Sequence, residues 1–216
     1  MVTRCIQYEK AATLYNVAAI YSQMGTKERL GTADGKKKAS AYFQKAAGVL
    51  VYIRDFLTQR FKIQLKSTAD LHEVTLSGLA TLMLAQAAEC FYQQATHGTS
   101  SLKSLSSLLD SSTSSLTAVI AIYVSDLYDV SIRHSRNPEL LTSRIPKSVS
   151  NHIKAKFNLY SAIAQFHTGP STSADRAVAE RLARLGMGKK LVAASIGYAQ
   201  EVGGYLLDHV VVFIFI

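Results

Sequence analysis

The sequence contains few of the residues from which small proteins build disulfide frameworks and metal sites. It has two cysteines, three prolines and no tryptophan among 216 residues. Cys5 and Cys90 are too few for a disulfide framework and too far apart in sequence for the usual spacing of zinc ligands. Each lies in a helical pattern, where a buried free thiol is the expected state. The sequence therefore argues against a disulfide-rich secreted protein and against a zinc-finger fold.

Motifs for catalysis and for nucleotide binding are also missing. The six histidines are scattered, without the paired histidines and glutamate of a zinc-binding helix. No Gly-x-Ser-x-Gly nucleophile elbow occurs. Gly31, Gly35 and Lys36 invite comparison with a phosphate-binding loop, but too few residues separate the glycines, and Lys37 stands where that loop needs serine or threonine. A helix entrance with solvated lysines is the preferred interpretation, and the protein is predicted to be no enzyme and to hold no metal or cofactor.

Charge and length set further limits on the function. Lysine and arginine total 24 against 15 acidic residues, a formal charge of +9. This excess favours an acidic partner such as a membrane surface, an acidic peptide or nucleic acid, although a solvated basic surface explains it equally well. No uninterrupted run reaches the roughly 18 apolar residues of a membrane-spanning helix, and no signal sequence stands at the N-terminus, so an intracellular protein is expected.

Apolar residues recur at steps of three and four along most of the chain, which predicts an all-α protein. The first predicted helix runs from Cys5 to Met24, and Gly25 and Thr26 end it. The second covers about Lys36–Phe61. Within it, Gly48 is expected to mark a place where two helices pack closely.

The helix around which the chain is organised is predicted over Leu76–Ala95, with Ser67 or Asp70 as its N-terminal cap. A serine-rich segment over about 97–115 follows and is expected to be a mobile insertion. A further helix should carry Pro146 in its first turn. After the serine-rich segment and before Pro146, helical spacing resumes in an apolar stripe of six residues: Leu116, Val119, Ile120, Tyr123, Val124 and Leu127.

Three of these stretches are similar to one known family. They read YEKAATLYNVAAIYSQMG at Tyr8–Gly25, AYFQKAAGVLVYIRDFL at Ala41–Leu57 and MLAQAAECFYQQA at Met83–Ala95. They resemble helices of the Bro-type domain, also called the Bro-one domain, which occurs in ALIX and the fungal PalA proteins. AERLARL at Ala179–Leu185 resembles a later helix of that family. The resemblance implies an all-α fold, a curved helical array with a tetratricopeptide-like core.

The resemblance also implies a domain organisation. Residues 1–185 would form a partial Bro-type domain that includes the serine-rich insertion, and residues 186–216 a divergent C-terminal tail. In the family, the helix that matches Tyr8–Gly25 lies well inside the domain, so a fragment is expected. The tail ends in VVVFIFI at Val210–Ile216, which is either a terminal strand or the product of a translated intron or shifted reading frame.

The function implied by the resemblance is that of a non-enzymatic adaptor in the ESCRT pathway. Such domains bind the C-terminal amphipathic helix of the ESCRT-III filament subunit in a helix-in-groove mode. Carried over to this chain, the contact residues are Phe91, Gln94, Leu116 and Ile120, with Leu105 and Leu109 as a rival pair for the last two. From spacing alone, the apolar members of this set are ordinary core residues.

The resemblance further implies a cytoplasmic protein recruited to endosomes, acting in protein sorting into multivesicular bodies or in PalA-like ambient-pH signalling. An anionic endosomal membrane surface is a second expected partner, and nucleic acid is not expected. Two alternatives stay open: a basic helical module that binds anionic membrane or nucleic acid directly, and a non-functional truncated product. Steep salt dependence would favour the basic module, and a cooperative thermal melt would argue against the truncated product.

Overall fold

The structure, a computed structural model, describes residues 6–58, 69–97, 111–135, 147–168 and 174–202. Secondary structure in these ranges is helical, which confirms the all-α prediction. The α-helices are α1 (Ile6–Lys27), α2 (Ala33–Tyr52), α3 (Glu73–His97), α4 (Ser111–Ser135), α5 (Lys147–His167) and α6 (Ala174–Val202). A π-helical turn, Ile53–Leu57, follows α2, and a 3-10 turn, Ala69–Leu71, precedes α3.

The chain divides into two compact units. The first comprises residues 1–91 and 130–145, and the second comprises residues 92–129 and 146–216. The division falls inside α3, after Phe91, and inside α4, after Asp129. Each unit has its own buried side chains and is described separately.

The first unit buries small residues of α1 and α2 beside a few larger aliphatic side chains. Its main cluster contains Ala11, Ala18, Leu50, Ile53, Leu57, Leu71, Leu76 and Ala80, and a second cluster joins Ala39, Phe43, Ala87 and Cys90. Helix α2 approaches α3 closely enough for the Ser40 hydroxyl to donate to the carbonyl oxygen of Ala87 at 3.2 Å. Cys90 is buried and forms no disulfide, as expected from its position in the apolar stripe; Cys5 lies outside the described residues.

Neither of the two glycines singled out in the sequence has the role predicted for it. Gly25 does not end the first helix, because α1 continues to Lys27. It is a close-packing position: a Cβ atom there would lie 2.8 Å from Cε1 of the buried Phe43 ring. Gly48, predicted to mark close packing, is exposed and has no atom within 4 Å of the place its Cβ would occupy.

Helix α2 begins three residues before the predicted Lys36, because Thr32 caps it. The Thr32 hydroxyl accepts a hydrogen bond from the Gly35 backbone N–H at 3.0 Å. The Gly35 amide at the start of α2 is thus already hydrogen-bonded within the protein, whereas a phosphate-binding loop would offer such an amide to a ligand. Lys36 was expected to be solvated and is instead buried, and burial lowers the pKa of its ammonium group. The predicted end of this helix, Phe61, lies outside the described residues.

Helix α3 confirms the organising helix and extends it to Glu73–His97. The predicted cap Asp70 does not directly precede this helix. Asp70 lies in the preceding 3-10 turn, and Ser67 is outside the described residues. Nδ1 of His72 accepts the Val74 backbone N–H at 3.3 Å instead, so an imidazole serves the role that serine or aspartate usually has.

The second unit is built on α5 packed against α6. The buried residues of α5 include Ile153, Ala155, Leu159 and Tyr160. Ser195 of α6 is fully buried and donates its hydroxyl to the Ala155 carbonyl oxygen at 2.8 Å. Such a bond requires the two helix backbones to approach closely, which the small residues at the contact permit.

Two segments bear on the predicted domain organisation. Helix α4 starts at Ser111, so the last residues of the predicted insertion are helical, and 98–110 lie outside the described residues. Helix α6 passes the predicted boundary at 185 and 186 without a break. The division into a partial domain and a tail stays a prediction, and the terminal 210–216 lie outside the described residues.

Length and composition show that α3 and α4 could each cross a membrane, over Glu73–Thr96 and Ser115–His134. Counting uninterrupted apolar residues missed both stretches, because serine, threonine, glutamine and a few acidic residues interrupt them. This is weak evidence for a membrane span, since the core helix of a soluble protein meets the same criterion.

The two glycines predict opposite effects of adding a methyl group. Gly48→Ala should raise the free energy of unfolding by about 0.5–1 kcal/mol, because alanine is the better helix former and the site is open. Gly25→Ala should lower it by about 1–3 kcal/mol, because the buried Phe43 ring would have to move. Urea denaturation of both variants tests this, and an equal gain in stability from both would contradict the close packing at Gly25.

Candidate functional site

The adjacent aromatics Phe91 and Tyr92 have opposite environments. Tyr92 is 1% exposed, and its ring meets that of Tyr160 edge to face, with 5.3 Å between the ring centroids. Burial raises the pKa of the Tyr92 phenol well above its ordinary value. Phe91 is 57% exposed, so it is available for contact with a partner.

Helix α4 presents a second exposed apolar surface. Leu116, Val119 and Tyr123 are 61%, 58% and 55% exposed; these three residues are the α4 strip. Their spacing of three and four residues places them along one face of the helix. The opposite face is buried through Ala118, Ala121, Val124 and Tyr128. Helix α4 therefore has two apolar faces, and the one that packs combines two alanines with Val124 and Tyr128.

Contacts within the second unit hold α4 against α5. The hydroxyl oxygens of Ser125 and Ser161 are 2.7 Å apart. The rings of Tyr128 and Tyr160 stack with centroids 6.4 Å apart. The buried face of α4 is thus fixed by both polar and aromatic contacts, which gives the α4 strip a defined orientation on a rigid element.

The predicted contact residues are distributed between the two units. Phe91 is the last residue of the first stretch of the first unit, whereas Gln94, Leu116 and Ile120 belong to the second. Gln94 is exposed in the last turns of α3, and Ile120 is half-buried beside the α4 strip. The rival residues Leu105 and Leu109 lie outside the described residues.

Sequence reasoning missed Val119 and Tyr123 as surface residues. Both belong to the predicted apolar stripe of six residues, of which only Val124 is fully buried. The signal that could have corrected this is the run of alanine and serine on the other side of α4, at Ala118, Ala121 and Ser125. Small residues at helical spacing favour close helix approach as strongly as large ones favour burial.

The described residues could also form a site through a metal-binding cluster or a surface depression. No group of three or more histidine, cysteine or acidic side chains suited to a metal occurs among them. A surface depression lies where α1 turns into α2, and its lining includes Lys27, Arg29, Asp34 and Lys38. There the Lys38 ammonium is 2.7 Å from Asp34, which raises the pKa of Lys38.

By its fold the described part of the chain belongs to the all-α proteins, and its exposed apolar helix faces are surfaces of the kind that bind other proteins. The family model of the BRO1-like domain matches residues 1–210, and the chain belongs to that family.

Two related proteins and one solved structure show how far the similarity extends. The pH-response regulator protein palA/prr-1 of Neurospora crassa is 29% identical over 211 residues, which cover 98% of this chain and 22% of that protein. The tyrosine-protein phosphatase non-receptor type 23 of Mus musculus is 31% identical over 82% of this chain and 10% of that protein. A structure of an ALIX BRO1 CHMP4C complex has a TM-score of 0.74 and 23% identity, and the match covers 94% of this chain and 53% of the other.

The chain therefore spans about a fifth or less of the two related proteins and about half of the similar structure. The structural similarity confirms the helical fold of the family. The name of the phosphatase describes a much longer protein, of which a tenth is similar to this chain.

The contrast between Phe91 and Tyr92 predicts unequal effects of truncating neighbouring residues. Tyr92→Ala should lower the free energy of unfolding by about 3–5 kcal/mol, because it leaves a cavity beside Tyr160. Phe91→Ala should change it by less than about 1 kcal/mol, because most of that ring is already in water. Chemical denaturation of the 216-residue chain measures both, and similar losses would show that Phe91 is a core residue.

Proposed function

We propose that this chain is a non-enzymatic adaptor of the ESCRT machinery that binds the C-terminal amphipathic helix of the ESCRT-III filament subunit. The observation that supports this most directly is the exposed α4 strip on a helix whose other face is fixed in the second unit. An amphipathic helix docks by inserting residues from one face against such a surface. The proposed contacts are Phe91, Gln94, Leu116 and Ile120.

Physical chemistry favours a helix as the partner of the α4 strip. Its residues follow one helix face, so a second helix lying alongside can contact them in succession. Fully burying each of these side chains would contribute about 1.5–3 kcal/mol. About half of each surface is already covered, and association carries an entropic cost. Binding by the α4 strip alone should therefore be weak, and the further contacts at Phe91 and Gln94 would be needed for useful affinity.

Family membership supports the choice of partner. The chain belongs to the BRO1-like domain family, and the similar structure is one of an ALIX BRO1 CHMP4C complex. The name of the related Neurospora crassa protein, a pH-response regulator, supports ambient-pH signalling as one setting for the adaptor. Sorting into multivesicular bodies is the other setting, and both imply a cytoplasmic protein recruited to endosomes.

A binding titration tests this function. A fluorescently labelled C-terminal helix of the ESCRT-III filament subunit is titrated with the 216-residue chain, and anisotropy reports binding. Leu116→Asp should weaken binding at least about tenfold, since a charge in a desolvated apolar contact is costly. Leu116 is preferable to the half-buried Ile120 because its exposure makes misfolding of the variant less of a concern.

The matched control is Ile20→Asp, an exposed aliphatic residue of α1 that is 55% exposed. It should bind the labelled helix as the unchanged chain does. Absence of binding by a chain that melts cooperatively would refute the proposal. Binding only to anionic vesicles, with steep loss as salt increases and no effect of Leu116→Asp, would establish the basic-module alternative.

A further inference from the structure

Helix α6 carries a further exposed apolar surface, separate from the α4 strip and also in the second unit. Val178 and Leu182 are 75% and 70% exposed, and Leu185 is also exposed; these three residues are the α6 strip. They follow one another at steps of four and three, so they lie along one face of the helix. With Lys189, one turn beyond Leu185, the surface extends for about 16 Å along the helix axis.

The charge beside the α6 strip has one sign. Arg181 lies between Val178 and Leu182 in the sequence and is exposed, as are Lys189 and Lys190. The acidic residue of this part of α6 is Glu180, which is paired internally: its Oε1 accepts from Nη2 of Arg184 at 2.8 Å. The surface therefore combines aliphatic side chains with cations whose charge no exposed acidic residue of 177–190 offsets.

Polar side chains of α6 hold it against α5. Ser195 donates to the Ala155 carbonyl oxygen at 2.8 Å, and Nη1 of Arg184 donates to Oε1 of Gln165 at 3.3 Å. No residue of 177–190 is buried, so this half of α6 is accessible on several sides, while the bonds of Ser195 and Arg184 fix its position against α5.

We propose that the α6 strip is a second docking surface, for an acidic amphipathic helix of a partner protein. The spacing of its aliphatic residues suits the apolar face of another helix, and Arg181 and Lys189 suit glutamate or aspartate at the margins of that face. An acidic helix should prefer this surface to the α4 strip, because the charged residue that follows the α4 strip most closely along α4 is the exposed Asp126.

Two other occupants fit the surface less well. Pairing of two copies about a two-fold axis would bring the same cations together. A membrane surface favours tryptophan or phenylalanine at the interface, and residues 177–190 contain no aromatic side chain.

The test uses the full chain and two labelled peptides with the same leucine face, one flanked by glutamates and the other by lysines. The acidic peptide should bind at least about tenfold more tightly than the basic one at about 0.15 M salt. Leu182→Asp should weaken that binding about tenfold or more, and Ile20→Asp should not. Reversing the cations in Arg181→Glu with Lys189→Glu should make the basic peptide the tighter ligand.

Several outcomes would overturn the inference. Equal affinity for both peptides would remove the role of charge, and loss of binding in Leu116→Asp but not in Leu182→Asp would assign the site to α4. Sedimentation of the chain as a dimer that Leu182→Asp dissociates, or binding of anionic vesicles in place of the acidic peptide, would identify another occupant. Circular dichroism confirms that each variant is folded. None of these results depends on whether the ESCRT-III helix binds.

Discussion

Close approach between helix backbones is the constraint on which the rest of this structure depends. Three serine hydroxyls donate to backbone carbonyl oxygens of other helices: Ser40 to Ala87, Ser131 to Gly78 and Ser195 to Ala155. A short side chain can reach a neighbouring helix's carbonyl only when the two backbones are unusually near each other. The residues at these contacts are accordingly alanine, glycine and serine, and a Cβ atom at Gly78 would already be 3.0 Å from that of His134.

This mode of packing explains why large apolar side chains remain on the surface. When the alanine and serine face of a helix is the buried one, the aliphatic residues on its other face have no partner within the unit. Helix α4 buries Ala118 and Ala121 and exposes Leu116 and Val119. Helix α6 buries Ser195 and Ala199 further along and exposes Val178 and Leu182. The α4 surface proposed for binding thus follows from the way in which its helix packs, whereas the α6 surface lies on a half of its helix in which no residue of 177–190 is buried.

This packing through small residues also shows how much of the structure the sequence could predict. Periodicity was sufficient for the helices, since the apolar stripes of α1 to α3 are long and regular, and the motifs were sufficient for the family. Periodicity was not sufficient for the choice between two apolar faces of one helix, which is why the predicted stripe did not single out Val119 and Tyr123 as surface residues. Gly25 was misread for a related reason: a helix stop and a close contact both require glycine, and only the position of the Phe43 ring distinguishes them.

Charge gives the two proposed surfaces different selectivity, although both are apolar helix faces. Burying aliphatic side chains is non-directional, so hydrophobic contact alone would let one amphipathic helix occupy either surface. Along α4 the charged residue next to the α4 strip is the exposed Asp126, a carboxylate, whereas Arg181 and Lys189 adjoin the α6 strip along α6. A like charge placed opposite either surface would be desolvated without a partner, which costs more than the mutual attraction of an exposed ion pair contributes. Discrimination between partners should therefore come mainly from the repulsion of the wrong helix, while the aliphatic residues supply most of the affinity.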